Sequence, residues 1–539
     1  MITGDQSEVV EFLSAPSSHG GAAVERIDTH GSIVFLAGAR AWKLKRAVRY
    51  DYLDFSTPAR RRQMCEAEVR INRRIAPSLY RGVVAVTREP DGSLALGGNG
   101  RPVEWLVEMV RFDQHGLFDR LADRGELPLG LMPPLAAAIA RFHRAAERRA
   151  DHGGRAGLAW VIDGNAAGFA EQGAHIFDPV AAARVTSAAH RALDRHGALL
   201  DARRDGGFVR RCHGDLHLRN IVLLDGEPTL FDAIEFNDEI ACVDVLYDAS
   251  FLVMDLWRRG LAGHANALWN GYFAESADLE GILLLPLFLS CRAAVRAKTS
   301  ATAANLQQDA RRRGELRTLA RRYLAMAEAL LQPSGPCLVA IGGLSGSGKS
   351  TLARALAPGI GAVPGAVVIR SDEVRKRVCG VDPLTQLSAE AYTSEVSRRI
   401  YAIMGDLASG IVQRGHAVIV DAVFARLGDR EAIETAAALA GVPFVGLWLE
   451  APEPVLTARA GRRRLDASDA DAEIIRRQLA DGIGPLRWDR IDAARPPELL
   501  LRDATRIAEE LQRQPADSGT DSGVGVRPRL RRKSACASS

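Results

Sequence analysis

A chain of 539 residues exceeds what a single hydrophobic core organises and predicts two to four domains. Its composition, 47% hydrophobic and 25% charged, is ordinary for a globular protein, and a net charge of +4 makes no case for nucleic acid or a membrane surface as partner. The seven cysteines are scattered without a CxxC pair and read as reduced thiols of a cytoplasmic protein.

The first residues lack a basic n-region and an apolar h-region, so no signal peptide is expected. Residues 1–21 predict an N-terminal extension, a short helix followed by a Ser/Pro/Gly linker (Ala15 to Gly21). From 22 to about 110 the pattern is strand-rich. Strands are predicted at Ser32–Leu36, Ala41–Leu44, Val83–Val86 and Trp105–Met109, with a charged amphipathic helix over Arg60–Arg74. From about 128 to 330 the chain reads as helical, interrupted at His213–Phe236. Its longest apolar run, Ile282–Leu289, is far short of a membrane span, carries Pro286, and reads as a buried helix segment. A helix over 304–328 ends before Pro333-Ser334-Gly335-Pro336, which makes 331–336 a linker between a unit at 22–330 and a second at 337–513. In that second unit strands alternate with helices: Leu338–Gly342, Val367–Arg370, Ala417–Val420 and Phe444–Leu449. The tail from 514 to 539 is Ser/Gly/Asp/Arg-rich, has a basic patch from Arg527 to Lys533, and reads as disordered and solvated.

The interruption at 213 carries chemistry. His213-Gly214-Asp215-Leu216-His217-Leu218-Arg219-Asn220 is followed by a strand, a turn at Asp225-Gly226, and Leu230-Phe231-Asp232. Phosphoryl transfer needs a carboxylate to orient and deprotonate the attacking hydroxyl and oxygen ligands to hold Mg²⁺ on the phosphates. Asp215 fits the first role; Asn220 and Asp232, brought together across a hairpin, fit the second. This spacing matches the catalytic loop and metal-binding aspartate of the protein-kinase-like fold. Such a fold requires an upstream lysine and glutamate. Lysine is rare here, occurring only at 43, 45, 298, 349, 376 and 533, with arginine supplying the rest of the 70 basic residues. Codon bias accounts for that. Its corollary is that a retained lysine is suspect as a compact point charge. Lys43 and Lys45 share one face of a strand, and Glu66 and Glu68 lie on the next helix. Lys43 with Glu68 is preferred, with the neighbours left open. Glu108-Met109-Val110 falls where a hinge would hold adenine. No GxGxxG loop precedes the lysine strand, which argues against an ordinary protein kinase. His213 reads as a structural residue that fixes its loop.

The second unit opens on Gly343-Leu344-Ser345-Gly346-Ser347-Gly348-Lys349-Ser350-Thr351, between an apolar strand and a helix. Glycines let backbone N–H groups converge on phosphate, and the helix N-terminus favours the same anion. Lys349 reaches the β- and γ-phosphates and the Ser350 hydroxyl ligates Mg²⁺. This is a P-loop, so Gly343, Ser345, Gly346, Ser347, Gly348, Lys349, Ser350 and Thr351 are expected to bind ATP.

Residues 22–330 resemble the aminoglycoside phosphotransferase family, which includes choline and other small-molecule kinases. His213–Asn220 and Phe231-Asp232-Ala233-Ile234-Glu235-Phe236 carry that likeness. With Leu53–Thr57, Glu68–Arg74, Asp244–Asp255 and the P-loop, nearly the whole chain resembles a bacterial family that fuses such a domain to a P-loop ATP-binding domain. The second unit looks like small-molecule P-loop kinases of the gluconate kinase, chloramphenicol phosphotransferase and zeta toxin type. That resemblance implies Asp372 as base, with a helix N-cap as its alternative use, and Arg375 on the acceptor. Asp421 falls at the Walker B position and orders Mg²⁺ through water. Arg463, with Arg459 second, is implied as the lid arginine that neutralises transferring charge.

The expected architecture is therefore an α+β protein-kinase-like domain followed by an α/β P-loop domain with a mainly parallel sheet. The expected function is an ATP- and Mg²⁺-dependent phosphotransferase with two nucleotide sites, acting on hydroxyls of small-molecule acceptors. Other readings are a regulatory or scaffold protein that binds ATP as a signal, and a P-loop domain acting as a polynucleotide or nucleotide-sugar kinase.

Overall fold

The computed structural model describes residues 3–50, 52–382, 385–461 and 472–512. Helix α1 (Ser7–Ser14) precedes strands β1 (Val24–Asp28), β2 (Ser32–Ala37) and β3 (Arg40–Lys45) and a small hairpin of β4 (Arg49–Tyr50) and β5 (Leu53–Asp54). Helix α2 (Pro58–Asn72) and strands β6 (Tyr80–Arg88), β7 (Leu94–Leu96) and β8 (Arg101–Val110) complete an antiparallel sheet of order β1-β2-β3-β8-β6-β7. Alternation sends Phe35, Trp42, Leu44 and Leu106 to one buried cluster, which α1 covers with Val9 and Leu13. Lys43 falls on the opposite face, toward α2.

The helical part follows: α3 (Phe118–Asp123), α4 (Met132–Ala145), α5 (Gly154–Gln172) and α6 (Pro179–Asp205). Then come β9 (Val209–Arg211), the hairpin β10 (Ile221–Leu224) and β11 (Glu227–Leu230), α7 (Asp238–Ala241) and β12 (Cys242–Asp244), which pairs with β9. The hairpin closes on Asp225 and Gly226, both at positive φ (50° and 82°), the geometry a two-residue Asp-Gly turn supplies. Helices α8 (Val245–Arg258), α9 (Ala262–Ser276), α10 (Leu285–Leu306) and α11 (Ala310–Leu330) finish this part. The single helix expected over 304–328 is in fact the end of α10 and the whole of α11. Asp309 caps α11 by accepting from Arg312 N at 2.6 Å, so the chain restarts there. Ile282 is buried in a 3₁₀ turn ahead of α10, and Pro286 sits in that helix's first turn, where its missing N–H costs nothing.

The second sheet is wholly parallel. Its strands β13 (Leu338–Gly343), β14 (Val367–Arg370), β15 (Val418–Asp421), β16 (Phe444–Glu450) and β17 (Asp489–Asp492) are ordered β14-β15-β13-β16-β17. Helices α12 (Lys349–Leu356), α13 (Ser371–Val378), α14 (Ser394–Gln413), α15 (Leu427–Leu439), α16 (Glu453–Gly461), α17 (Ala472–Asp481) and α18 (Pro497–Gln512) flank it. Each central strand is buried on both faces, as its unbroken apolar runs dictate. Arg463 and the basic patch of the tail lie outside the described residues.

Helix α9 joins the two parts by covering the free edge of β14. Asn270 accepts from Val368 N at 2.7 Å and donates to Ala366 O at 3.2 Å; Asn266 donates to Pro364 O and Ala366 O. At the same seam His416, fully buried, lies edge-on to Trp269 and bonds Gly365 O through Nε2 at 2.9 Å. Burial pushes this imidazole down to about 4 from its ordinary 6.5. Between those values the unfolded chain carries a proton that the native chain refuses. Stability is therefore full above pH 6.5 and falls as the pH drops toward 4, by about 3 kcal/mol. Thermal melts of the full chain between pH 7.5 and 4.5 are expected to show this decline, with a shallower slope in His416→Gln.

Candidate active sites

Two groups of sequence-marked residues assemble, one in each part. In the first, Lys43 Nζ donates to Glu68 Oε1 at 2.9 Å and to Asp232 Oδ1 at 2.5 Å. Lys45 Nζ donates to Glu68 Oε2 at 2.6 Å and to Glu235. Both lysines on the shared face of β3 thus meet the same glutamate of α2, Glu68; Glu66, also on α2, instead pairs with Arg62 on the surface. Burial works against Glu68, but the Lys43 and Lys45 ammoniums outweigh it and hold the carboxyl down at about 2. Glu235 moves the other way: burial lifts it, and Lys45 offsets this only in part. Asp232 takes a left-handed φ of 63°, rare for a residue with a Cβ, and is held there from both sides. Its N–H donates to the Tyr80 hydroxyl at 3.1 Å. The next residue, Ala233, donates to Asn72 Oδ1 at 2.8 Å.

The loop at 213–220 is fixed from beneath. Asp248 of α8 accepts from His213 N at 3.1 Å and Gly214 N at 2.9 Å. His213 Nε2 bonds Phe231 O at 2.9 Å and Nδ1 accepts from Asp215 N at 3.3 Å, so this histidine ties the loop to the segment leading to Asp232. Burial lowers its basicity, in keeping with a neutral, structural ring. Asn220 Nδ2 donates to Asp215 O at 2.9 Å and to Asp215 Oδ2 at 3.2 Å. That leaves the amide oxygen of Asn220 and the exposed half of the Asp232 carboxylate as hard oxygen donors, the chemistry Mg²⁺ prefers. His217 Nε2 lies 3.3 Å from Asp215 Oδ2. Burial alone would raise Asp215, yet His217 and Arg296 keep it well below the usual carboxylate range, so it stays an anion. Next to this loop, His143, Cys212 and Asp248 form a buried cluster of ligand-type atoms. They are committed to one another, to Tyr272, and to backbone groups, and so serve packing. On β8, Glu108 pairs with Arg40 at 2.9 Å, and beyond the strand a cleft of about 460 Å³ opens between Gly38 and the Arg111–His115 segment.

In the second part, the loop between β13 and α12 depends on glycine. Gly346 has φ 85°, and a Cβ there would lie 2.4 Å from Leu456 O; Gly348, at φ 91°, caps α12. Lys349 Nζ curls onto Leu344 O at 3.0 Å. Ser350 Oγ donates to Asp421 Oδ2 at 2.5 Å, a hydroxyl and a carboxylate placed as a Mg²⁺-binding pair requires. Arg370, which the sequence reading passed over, donates to Ser350 Oγ at 3.1 Å. Asp372 lies in the first turn of α13, but the cap residue is Arg370 and no side chain caps that helix. Its side chain is half-buried, and that burial together with Asp421 raises its pKa above the ordinary value. The other implied cations are engaged elsewhere. Arg375 donates to Ala391 O at 2.5 Å and stacks on Tyr392, and Arg459 donates to Ala493 O at 2.8 Å. From α17, Gln478 accepts the P-loop amide of Ser345 at 3.0 Å, a contact that sequence spacing does not announce.

Fold and geometry together define a kinase-like α+β unit followed by a P-loop unit. Residues 338–482 match the model of a family described as AAA domain (AAA_33). The chain is 30% identical over 498 residues to the uncharacterized protein Rv2004c of Mycobacterium tuberculosis, covering 89% of this chain and 94% of that protein. It belongs to the family of that mycobacterial protein. It is also similar, at 35% identity over 118 residues, to the adenylyl-sulfate kinase of Myxococcus xanthus, covering 22% of this chain and 59% of the kinase. A solved choline/ethanolamine kinase family protein of Mesorhizobium loti is 15% identical, with a TM-score of 0.35, over 60% of this chain and 99% of its own. Among the described residues, no helix is long and apolar enough to cross a membrane.

Proposed function

We propose that this chain is an ATP-dependent phosphotransferase with two nucleotide sites, one in each unit, acting on hydroxyls of small-molecule acceptors. The observation that carries the reading is the continuous set of contacts from Glu68 through Lys43 to Asp232, beside a loop that holds Asp215 against Asn220. Lys43, fixed by Glu68, is the cation for the ATP phosphates. Asp215 orients the acceptor hydroxyl. As the acceptor oxygen bonds the γ-phosphorus, the hydroxyl proton passes to Asp215; the bond from the γ-phosphorus to the β,γ-bridging oxygen breaks and ADP leaves with the electron pair. Asn220 and Asp232 in the first site, and Ser350 with Asp421 in the second, would hold Mg²⁺, which would supply charge neutralisation on the phosphates.

In the second site, Lys349 and the amides of Gly346, Ser347 and Gly348 hold the triphosphate, with Gly343, Ser345 and Thr351 completing the loop. Asp372, whose carboxyl burial and Asp421 make more basic than usual, is the base for the second acceptor's hydroxyl. Arg463 is kept as the lid arginine.

Calorimetry with Mg·ATP is the direct test: two nucleotides bound per wild-type chain, and one in Lys349→Ala. The variant is expected to lose about ten- to a hundredfold in affinity at the P-loop while the first site is unchanged. A wild-type stoichiometry of one or zero overturns the two-site reading. A metabolite screen with γ-labelled ATP on wild type, Asp215→Ala and Lys349→Ala then assigns each acceptor to its site.

A further inference from the structure

In the P-loop of the second unit, the peptide between Leu344 and Ser345 is engaged at both ends. Its N–H, that of Ser345, donates to Gln478 Oε1 of α17 at 3.0 Å. Its oxygen, Leu344 O, accepts from Lys349 Nζ at 3.0 Å and from Ser347 N at 3.2 Å. A trans peptide is a rigid plane whose N–H and C=O point to opposite sides, so whatever fixes one end directs the other. Gln478 therefore sets the direction of the oxygen on which the P-loop lysine rests.

The helix that presents Gln478 is itself fixed. Ile475, one turn earlier on the same face, is fully buried, while Arg476, Arg477 and Leu479 are exposed. Past the end of α17, Ile483 O and Pro485 O each accept from Arg430 at 2.8 Å. The same buried guanidinium donates to Phe424 O at 2.6 Å and to Ala425 O at 2.8 Å, just past Asp421. Helix α17 is thus tied to the segment that leaves the Asp421 strand. Helix α16 packs against α17 and brings Leu456 O up to Gly346, so the two helices seat adjacent residues of the loop. On such a seated face a glutamine contributes its amide more than its short apolar stem, and here the amide oxygen is spent on the loop.

The geometry points to Gln478 as a positioning residue of the second site: it acts on the nucleotide through the Leu344–Ser345 peptide and Lys349, without itself holding a phosphate. This rests on the nucleotide-binding reading of the P-loop. With no acceptor at 478, Ser345 N–H loses its partner and the peptide plane is free to turn. Leu344 O then swings away from Lys349, whose side chain has more freedom to give up on meeting a phosphate. A carbonyl turned into the loop also presents its negative end where the anion must sit. Both effects weaken the nucleotide.

Calorimetry with Mg·ATP on the full chain tests this, with the first site as an internal control of folding. Gln478→Met keeps the length and packing of the side chain and removes the acceptor. It is expected to weaken one of the two bound nucleotides about tenfold, the worth of one hydrogen bond, and to leave the other unchanged. In a Lys349→Ala background the route through the lysine is already cut, so Gln478→Met is expected to cost less than about threefold there. A general loosening of the loop would cost the same in both backgrounds. Should the methionine variant not fold, Gln478→Asn, one methylene too short to reach Ser345 N, is measured in its place with the same expected losses. Wild-type affinity in the position-478 variant overturns the inference, and so does an equal loss with and without Lys349. If Lys349→Ala alone leaves both nucleotides bound at wild-type affinity, the nucleotide-binding reading of the P-loop falls instead.

Discussion

Replacing Asp215 by asparagine is expected to lower turnover at the first site by about 10²- to 10⁴-fold while ATP still binds. On the proposed function, the Asp215 carboxylate takes the acceptor's proton. Its partners fix its orientation without supplying a substitute: Asn220 holds one oxygen, and His217 lies beside the same oxygen. Asparagine keeps the shape and an acceptor oxygen, so the loop should stay anchored on Asp248 through the amides of His213 and Gly214. Single-turnover measurements with γ-labelled ATP in the Lys349→Ala background separate the two effects. A large loss of rate with an unchanged ATP affinity is the expected result. An equal loss of both would assign Asp215 to nucleotide binding.

The second large effect is on stability. Lys45→Met is expected to destabilise the first unit by about 3–5 kcal/mol, because it leaves Glu235 and one oxygen of Glu68 buried without a cation. Side-chain exposures of 1% for Lys45, 0% for Glu68 and 4% for Glu235 leave water little access to repair the loss. A fall in melting temperature of roughly 10 °C follows. The double variant Lys45→Met/Glu235→Leu should recover much of it, since removing both partners leaves fewer charges buried. If the single variant melts within a degree or two of wild type, the network contributes little.

What the sequence disclosed and what it withheld have a common cause. The P-loop and the 213–220 loop are legible because phosphate chemistry prescribes residue types at short, fixed spacing. The strand and helix that carry Lys43 and Glu68 are legible from periodicity. Lys45 and Lys43 could not be ranked from sequence because both share one face of β3, and the structure shows why: each binds one oxygen of Glu68. Glu235, Asn72, Asp248 and Gln478 carry no spacing signal. Glu235, Asn72 and Gln478 act across 130 or more residues of chain, and Asp248 acts from a helix packed beneath its loop. The turns of Arg375 and Arg459 toward nearby backbone carbonyls follow from loop courses that no pattern fixes. The break between α10 and α11 was readable in retrospect from Asp309, a good N-cap residue two positions after Gln307.

The asparagines of α9 give the molecule a property beyond adhesion. Strand β14 is an outer strand whose second row of backbone groups is occupied by amide side chains instead of another strand. Severing the polypeptide in the Pro333–Pro336 stretch would remove that cover and bare a template for pairing with a second molecule. A truncated version beginning at residue 337 should therefore self-associate, and neither half of the gene is a safe stand-in for the whole.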